Sequence, residues 1–333
     1  MITASPNGGP RWLLADWLEL EALCSKNGGT SVHAINADAQ CEPDTQGEEI
    51  DEEGLRDDDR IARLTVEVEM RVKTLRASYP FRLTDDGARL EFPPKAGLGA
   101  TVYLFCLLAS HARAGGLLHQ SDIVDLTKVP DLLQACATWA AAGYEDGPAY
   151  ALGFEPRSST FLGKLAVIYA ALGDGTPVTV TPKGAPPHVK DDGIDVIAWK
   201  ATPHAHPPAW YLLAQVASGQ NWDDKSLKHL IDRFHNTWFA PAPACEGKPA
   251  IMIPFCIDGG VDDDDLAQVE LAIQWRRRVS QFGELFYRYT MPHYADLGIQ
   301  LHAKGTHVDM ANWDSRLRDF VIAVIAKLQS EGA

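Results

Sequence analysis

The sequence predicts an α/β protein, with a mixed central sheet flanked by helices and preceded by a mostly helical N-terminal region. Between residues 1 and 150, the longer apolar stretches have helical spacing. After Gly153, β-branched stretches alternate with helical ones, a succession typical of one sheet with helices packed on its faces. This change divides the chain into a helical region, 1–150, and a second domain, 151–333.

The composition is that of an ordinary globular protein. The chain of 333 residues is 46% hydrophobic and 23% charged, and no apolar run reaches the roughly 18–20 residues of a membrane span. Its six cysteines form no Cys-x-x-Cys pair, which argues against a zinc knuckle or a disulfide framework. The N-terminus lacks the basic and apolar segments of a secretory signal, so we expect a reduced, cytoplasmic protein without membrane attachment.

The first region is predicted from helical spacing and turn residues. Apolar residues at helical spacing predict an amphipathic helix at 11–23, and a helix is also predicted at 61–78. Apolar stretches of helical length predict buried helices at 99–114 and 130–142. An Asp-Asp-Gly turn at 85–87 predicts a short hairpin or irregular piece within 79–92. The segment 27–60 is rich in Gly, Asp and Glu and has few large apolar residues, so we expect a mobile loop or linker there.

The net charge of −15 is unusual for a protein that binds nucleic acid. Ten acidic residues and only two arginines lie between residues 42 and 60, whereas the chain from residue 175 onward has nineteen acidic and fifteen basic residues. About half of the excess is therefore confined to one short segment, and a local basic groove elsewhere stays possible. The segment 42–60 could itself compete with DNA for that groove.

The second domain is predicted as a helix, three strands, a helix, a strand and further helices. A helix at 159–172 would be capped by Ser158, Ser159 or Thr160 and ended by the Gly-Asp-Gly sequence at 173–175. β-branched and apolar runs predict strands at 176–181, 193–199, 210–217 and 250–257. Helices are predicted at 222–238, 265–287 and 312–328.

Two predicted neighbouring strands carry polar residues suited to phosphodiester chemistry. Hydrolysis of this bond with a metal ion requires oxygen ligands for a divalent cation and a cationic group near the attacking water. An Asp near the start of one strand can supply such a ligand, together with an acidic or amide residue on the next strand and a Lys two positions later on the same face. Asp195 lies near the start of the 193–199 strand, and Gln215 lies in the 210–217 strand.

This stretch resembles a known family. The sequence Lys-Asp-Asp-Gly-Ile-Asp-Val-Ile-Ala-Trp (190–199), followed by Leu-Leu-Ala-Gln-Val-Ala-Ser-Gly-Gln-Asn-Trp (212–222), is similar to the core of PD-(D/E)XK, or restriction-endonuclease-like, nucleases. More closely, it resembles restriction-type nucleases of bacterial antiphage defence. The resemblance covers roughly 158–260. It implies that Asp195 and Gln215 hold Mg²⁺ or Mn²⁺.

The chain departs from the family pattern at the lysine. Ala217 stands where a regular core has Lys. Migrated lysines occur in the family, and Lys225, expected on the first turn of the following helix, is our preferred replacement. Lys200 is out of phase with Asp195 and should point away. Glu155, before the first core helix, corresponds to an additional acidic ligand that some relatives place there.

Each candidate residue also has a structural explanation. Asp195 can terminate a turn, Gln215 can bond neighbouring backbone, and Lys225 can be a solvated surface charge. Glu155 and Arg157 can be ordinary surface residues beside Pro156. His188, His204 and His206 lie in Pro-rich sequence without the spacing of a zinc site. The acidic run at 258–265 lacks the alternation of an EF-hand loop, and the three arginines at 276–278 would fan around a helix.

The resemblance implies a Mg²⁺-dependent endonuclease that cleaves DNA and acts in antiphage defence. A helicase or ATPase partner is expected by analogy, because the chain has no phosphate-binding motor motif of its own. The alternative is a non-catalytic subunit of the same fold that scaffolds a defence complex, which the missing lysine and the net acidity favour. A nuclease acting on RNA is a third possibility, because nothing in the sequence separates the two substrates.

Overall fold

The computed structural model describes residues 2–6, 9–36, 49–93, 97–118, 123–153, 160–185, 189–257 and 265–331. The chain forms two compact units. The first comprises Met1–Leu126, Phe255–Gln268 and Arg316–Ala333, and the second comprises Thr127–Pro254 and Val269–Ser315. The boundary predicted near residue 150 refers to domains that fold separately. That boundary stays a prediction.

The described residues contain helices and strands in both units. The α-helices are α1 (Arg11–Cys24), α2 (Glu49–Leu75), α3 (Leu98–His111), α4 (Val129–Glu145), α5 (Phe161–Leu172), α6 (Ile231–Trp238), α7 (Asp265–Phe282), α8 (Met291–Ala303) and α9 (Asp314–Glu331). The strands are β1 (Gly29–Ser31), β2 (Arg82–Leu83), β3 (Arg89–Glu91), β4 (Ala149–Ala151), β5 (Val196–Ala198), β6 (Trp210–Val216), β7 (Glu246–Met252) and β8 (Glu284–Phe286).

The first unit contains a small antiparallel sheet in the order β1-β3-β2. The hairpin of β2 and β3 confirms the turn predicted at 85–87, and the helices predicted at 11–23 and 99–114 are confirmed as α1 and α3. The loop predicted for 27–60 is wrong in part, because β1 and a 3₁₀ helix (Val32–Asn36) lie there and residues 49–60 belong to α2. Acidic residues suit the first turns of a helix, and Leu64 and Val68 bury its apolar face. Residues 37–48 lie outside the described part of the chain.

A buried ionic cluster joins three helices of the first unit. The guanidinium of Arg71 on α2 lies 2.7 Å from carboxylate oxygens of both Asp16 and Glu19 on α1, and 3.0 Å from Glu67. His111 on α3 bonds Asp16 at 2.7 Å. Burial raises the pKa of Glu19, while the charge of Arg71 opposes that rise. These side chains are packed among core residues and make a structural network.

The second unit is built on a five-stranded mixed sheet in the order β4-β5-β6-β7-β8. Strands β4, β5 and β6 are antiparallel neighbours, whereas β6, β7 and β8 are parallel. Tyr211 and Leu213 of β6 pack with Ile197 of β5 in a core that also contains residues of α5 and α6. Helix α4 packs on β4 and β5. The mixed α/β class predicted from the sequence is confirmed.

Two glycines allow α4 and α8 to cross closely. A Cβ atom added to Gly143 would lie 2.0 Å from the Tyr294 carbonyl oxygen, and one added to Gly298 would lie 1.9 Å from the Trp139 carbonyl oxygen. Helix α8 was not predicted, because a glycine at its centre and Pro292 in its first turn lower the helical signal. The same glycine is what the close crossing requires.

Helix α5 confirms a predicted helix together with its cap. The hydroxyl of Thr160 accepts a hydrogen bond from the Gly163 N–H at 3.1 Å, and Gly173 ends the helix with φ of 81°. The neighbouring strand predicted at 176–181 is wrong. Its backbone makes an isolated antiparallel bridge, Pro177 to Phe239. The Val178 N–H donates to the Trp238 carbonyl at 2.8 Å and the Thr176 carbonyl accepts from the Ala240 N–H at 2.8 Å, and no strand is formed.

Several boundaries differ from the sequence prediction. The strands predicted at 193–199 and 210–217 are confirmed as β5 and β6, and the one at 250–257 begins earlier, as β7. The helix predicted at 222–238 is wrong over its first half, where a 3₁₀ helix (Gln220–Asp224) and an extended Lys225 precede α6. The short strands β4 and β8 were not predicted. Over the described part of the chain, we find no helix with the length and apolarity needed to cross a membrane.

Candidate functional site

Asp195 lies directly before β5, fixed between the two neighbouring strands. Its N–H donates to the Ala214 carbonyl at 2.8 Å, and its carbonyl accepts from the Leu152 N–H at 2.8 Å. Because residues Val196 and Ala214 are paired in the antiparallel register of β5 and β6, the start of β5 lies beside the end of β6. Asp195 and Gln215 therefore belong to one end of two adjacent strands, as the sequence predicted.

The carboxylate of Asp195 is held by the backbone of β6. Its Oδ2 accepts a hydrogen bond of 2.7 Å from the Val216 N–H. Burial raises the pKa of Asp195 to about 7, and the charge of Asp191 adds to this rise, while the Val216 N–H and the positive charge of Lys225 oppose it. A carboxylate that is costly to ionise in its surroundings is stabilised by a bound cation, since the cation favours the charged form.

Asp191 is a second carboxylate of this site, and the sequence analysis missed it. Its Oδ1 accepts from the Gly193 N–H at 2.8 Å, within a turn where Asp192 and Gly193 have φ of 51° and 86°. A Cβ atom added to Gly153, just past β4, would lie 3.0 Å from Asp191 Oδ2. The i,i+4 spacing of aspartates across the Asp-Asp-Gly turn is the signal that could have identified it.

Asp192, between these two aspartates, has a structural role. Its carboxylate accepts hydrogen bonds from Arg233 Nη2 at 2.9 Å and from Trp238 Nε1 at 2.8 Å. Both partners belong to α6, so this aspartate ties the turn to the helix. Its carboxylate is therefore engaged by two side chains of α6.

Gln215 and Ala217 lie at the end of β6. Gln215 is partly buried and continues the alternation of Tyr211 and Leu213, which face the core beneath α5 and α6. Its amide oxygen is a suitable ligand type for a hard cation. Ala217 is fully buried, and its N–H donates to the Met252 carbonyl at 2.9 Å. A small buried residue thus stands at the position where the PD-(D/E)XK pattern has a lysine.

Lys225 is brought to the site by a different element from the one predicted. It follows the short 3₁₀ helix Gln220–Asp224 in an extended conformation, with φ of −100° and ψ of 121°, and is not on a helical first turn. Its charge lies close enough to Asp195 to lower the pKa of that carboxyl. Lys200, by contrast, acts on Glu145, whose pKa it helps to lower. The structure therefore brings Lys225, and not Lys200, to Asp195.

Other predicted candidates are not part of this site. Glu155, Arg157 and His188 lie outside the described residues, as does most of the acidic run at 258–265. His204 and His206 are exposed, with ring centroids 6.3 Å apart. Within the described ranges, no group of three or more His, Cys, Asp or Glu side chains is arranged to hold a metal ion.

The side chains around Asp195 are of the chemical types that a hard cation with few protein ligands takes. Mg²⁺ is commonly held by one or two carboxylates together with substrate phosphate and water, rather than by a complete protein cage. Asp195 and Asp191 are carboxylates within electrostatic reach of each other, and Gln215, which has an amide oxygen, follows Ala214 on the strand paired with β5.

Comparison with known proteins gave no match: no protein-family model, curated protein or solved structure is significantly similar to the chain. The interpretation of the site therefore depends on its own geometry and on the sequence pattern around Asp195.

Proposed function

We propose that the chain is a Mg²⁺-dependent endonuclease with a restriction-endonuclease-like core of the PD-(D/E)XK type. The observation that carries the proposal is the setting of Asp195. This carboxylate is fixed by the Val216 N–H at the junction of β5 and β6, and it has both a second carboxylate and a lysine within electrostatic reach. The mixed sheet with helices on it supports the same reading.

The roles of the side chains follow from their chemistry. Asp195 and Asp191 would hold Mg²⁺ or Mn²⁺, with Gln215 as a further oxygen ligand. When bound, the metal ion supplies charge stabilisation at the scissile phosphate and lowers the pKa of a bound water. Lys225 would orient the attacking water and offset negative charge on the phosphate. The Val216 N–H keeps the carboxylate of Asp195 directed along the end of β6.

The substrate and biological setting are proposed from the resemblance alone. We propose DNA as the substrate, antiphage defence as the setting, and a helicase or ATPase subunit as a partner. The chain's net charge of −15 requires that phosphate contacts be local, through residues such as Lys225.

A non-catalytic scaffold subunit is the second candidate. The observation that favours it is the buried Ala217, which leaves the end of β6 without a lysine. In that case Asp195 would be a structural residue bonded to Val216, and Lys225 a surface charge. The two candidates differ in whether the Asp195–Lys225 pair performs chemistry.

Cleavage assays on plasmid and linear DNA with Mg²⁺ or Mn²⁺ distinguish these candidates. We expect metal-dependent cutting by the wild-type protein. In both Asp195→Ala and Lys225→Ala, the cleavage rate should fall by about 100-fold or more. Lys228→Ala is the matched control, because its ammonium group donates to the Ser280 carbonyl at 2.5 Å and should have no part in catalysis.

Each outcome has a definite meaning. Equal activity in the wild type and Asp195→Ala would contradict the assignment of the site. Cutting that survives in Lys225→Ala but not in Asp195→Ala would remove only the role of the lysine. Absence of metal-dependent cutting by the wild type on DNA, and on an RNA substrate tested in parallel, would favour the scaffold.

A further inference from the structure

Gln134, on the face of α4 that packs on the sheet, contacts the backbone of the candidate site. Its Nε2 donates to the Leu152 carbonyl at 2.7 Å and to the Asp195 carbonyl at 3.1 Å. The two amide hydrogens of one side chain thus bond two neighbouring segments of the sheet, one after β4 and one before β5. The sequence analysis assigned no role to this residue.

The bonds of Gln134 complete a connected set around Asp195. The Asp195 carbonyl also accepts from the Leu152 N–H at 2.8 Å, so it receives two hydrogen bonds. The Asp195 N–H is bonded to Ala214 at 2.8 Å, and its carboxylate to the Val216 N–H at 2.7 Å. The main chain of Asp195 is therefore fixed on both sides, and the direction of its side chain follows from that main chain.

From this connectivity we infer that Gln134 is a positioning residue, which sets the Asp195 carboxylate for metal binding through the Asp195 backbone. The inference rests on the proposed function. Partners that orient a metal ligand through hydrogen bonds commonly contribute 10–100-fold to metal affinity or activity. Gln134 suits this role because the two N–H groups of its amide can each donate to one of the two carbonyls. A glutamate at this position would instead bring carboxylate oxygens close to the carbonyl oxygens.

The first experiment compares Mn²⁺ binding in the full-length wild type, Gln134→Met and Thr138→Val, by calorimetry with Mn²⁺ alone. Gln134→Met keeps the volume and removes both donors, and we expect binding about 10–100-fold weaker. Thr138→Val is the matched control. It lies on the same helix, is fully buried and loses one bond, Thr138 Oγ1 to the Gln134 carbonyl at 2.8 Å. We expect its affinity for Mn²⁺ to stay within about 2-fold of the wild type, since it leaves the amide in place.

Gln134→Asn gives a second comparison that keeps the amide but shortens it by one methylene. The Mn²⁺ affinity of Gln134→Asn should lie between that of the wild type and that of Gln134→Met, because the shorter amide can reach only one carbonyl. In DNA cleavage, raising the Mn²⁺ concentration should restore most of the activity of Gln134→Met. A residue that only stabilised the fold would show no such rescue.

Hydrogen exchange at the Val216 amide tests the positioning without any metal. We expect faster exchange in Gln134→Met and wild-type protection in Thr138→Val. Unchanged Mn²⁺ affinity and unchanged Val216 exchange in Gln134→Met would overturn the inference while the nuclease proposal stands. If the wild type neither binds Mn²⁺ nor cuts nucleic acid, the proposed function fails, and the metal-positioning role fails with it, whatever the exchange at Val216 shows.

Discussion

Two carboxyl groups of the second unit show how surroundings decide what a residue does. Burial raises the pKa of both Asp195 and Glu145 to about 7. Asp195 lies at the end of two strands, where the charge of Asp191 adds to the rise in its pKa. Glu145, at the end of α4, is affected by the charges of Lys248, which lowers its pKa, and Glu284, which raises it, and the sequence gives no indication of its burial.

Glu145→Gln should change how stability depends on pH. Because the pKa of Glu145 is raised from 4.5 to about 7 in the folded state, the folded protein binds more protons than the unfolded chain between these values. Its stability therefore falls as the pH rises through that window. The difference in unfolding free energy between Glu145→Gln and the wild type should therefore shift in favour of the variant by about 1 kcal/mol from pH 5 to pH 8, less than the full pKa shift would give, because solvent screens the partly accessible carboxyl. Denaturant unfolding at both pH values measures this gain, and an equal difference at both would contradict it.

Gly153→Ala should disturb the site through Asp191. The added Cβ would lie 3.0 Å from Asp191 Oδ2, and Gly153 has φ of +74°. Gly87→Ala is the control, because Gly87 has φ of +70° with no heavy atom within 4 Å of an added Cβ. Both variants should lose about 1 kcal/mol of stability, while only Gly153→Ala should lose DNA cleavage, by about 10-fold. Equal cleavage in the two variants would show that Asp191 does not contribute.

At the level of elements, the sequence predicted what local patterns control. Helix α1 was identified from apolar residues at helical spacing, and α3 and α4 from apolar stretches of helical length, because these helices bury most of their residues. Helix α5 was identified from its helical sequence, its cap and the glycines that end it. Elements that depend on partners were missed. Strands β4 and β8 have three residues each and exist because neighbouring strands pair with them. Conversely, the β-branched segment at 176–181 has the composition of a strand but forms only an isolated bridge, Pro177 to Phe239.

The crossing of α4 and α8 is an element-scale feature that mutation can test. Gly298→Ala would place a Cβ 1.9 Å from the Trp139 carbonyl oxygen, so the helices must separate. We expect a loss of about 3 kcal/mol or more in the free energy of unfolding. Gly163→Ala on α5 is the comparison: its Cβ would meet only the Thr160 hydroxyl, at 3.2 Å, and stability should change by less than about 1 kcal/mol. Similar losses in both variants would contradict this explanation of the crossing.

At the scale of the whole molecule, net charge is the property that can be read directly from the sequence. The net charge is −15, and part of the acidic segment 42–60 is helical, since α2 begins at Glu49. Deleting the segment would therefore also remove the start of α2, and neutralising side chains is the cleaner change. Asp57, Asp58 and Asp59 lie on this helix and are partly or fully exposed.

Replacing these three aspartates together by asparagine should strengthen DNA binding. Removing negative charge reduces the repulsion of phosphates, so we expect affinity to rise about 2–10-fold at 50 mM salt and the difference to vanish near 0.5 M, where screening is short-ranged. The triple replacement by glutamate keeps the charge and is the control. Fluorescence anisotropy with labelled duplex DNA measures both, and an equal gain in the glutamate control would exclude an electrostatic cause.

The α/β class, most of the long helices, and strands β5 and β6 could be predicted from the sequence. The candidates Asp195 and Gln215 came from residue chemistry on two predicted strands, and Lys225 came from the family that this stretch resembles. These features depend on local periodicity and on residue chemistry, which a linear pattern carries. Tertiary packing supplies two features that a linear pattern cannot carry: the approach of Lys225 to Asp195 from an extended segment, and the contact of Gln134 with the Asp195 backbone. Each of these depends on strand register and helix packing, because register and packing bring residues distant in sequence within a few ångströms of one another.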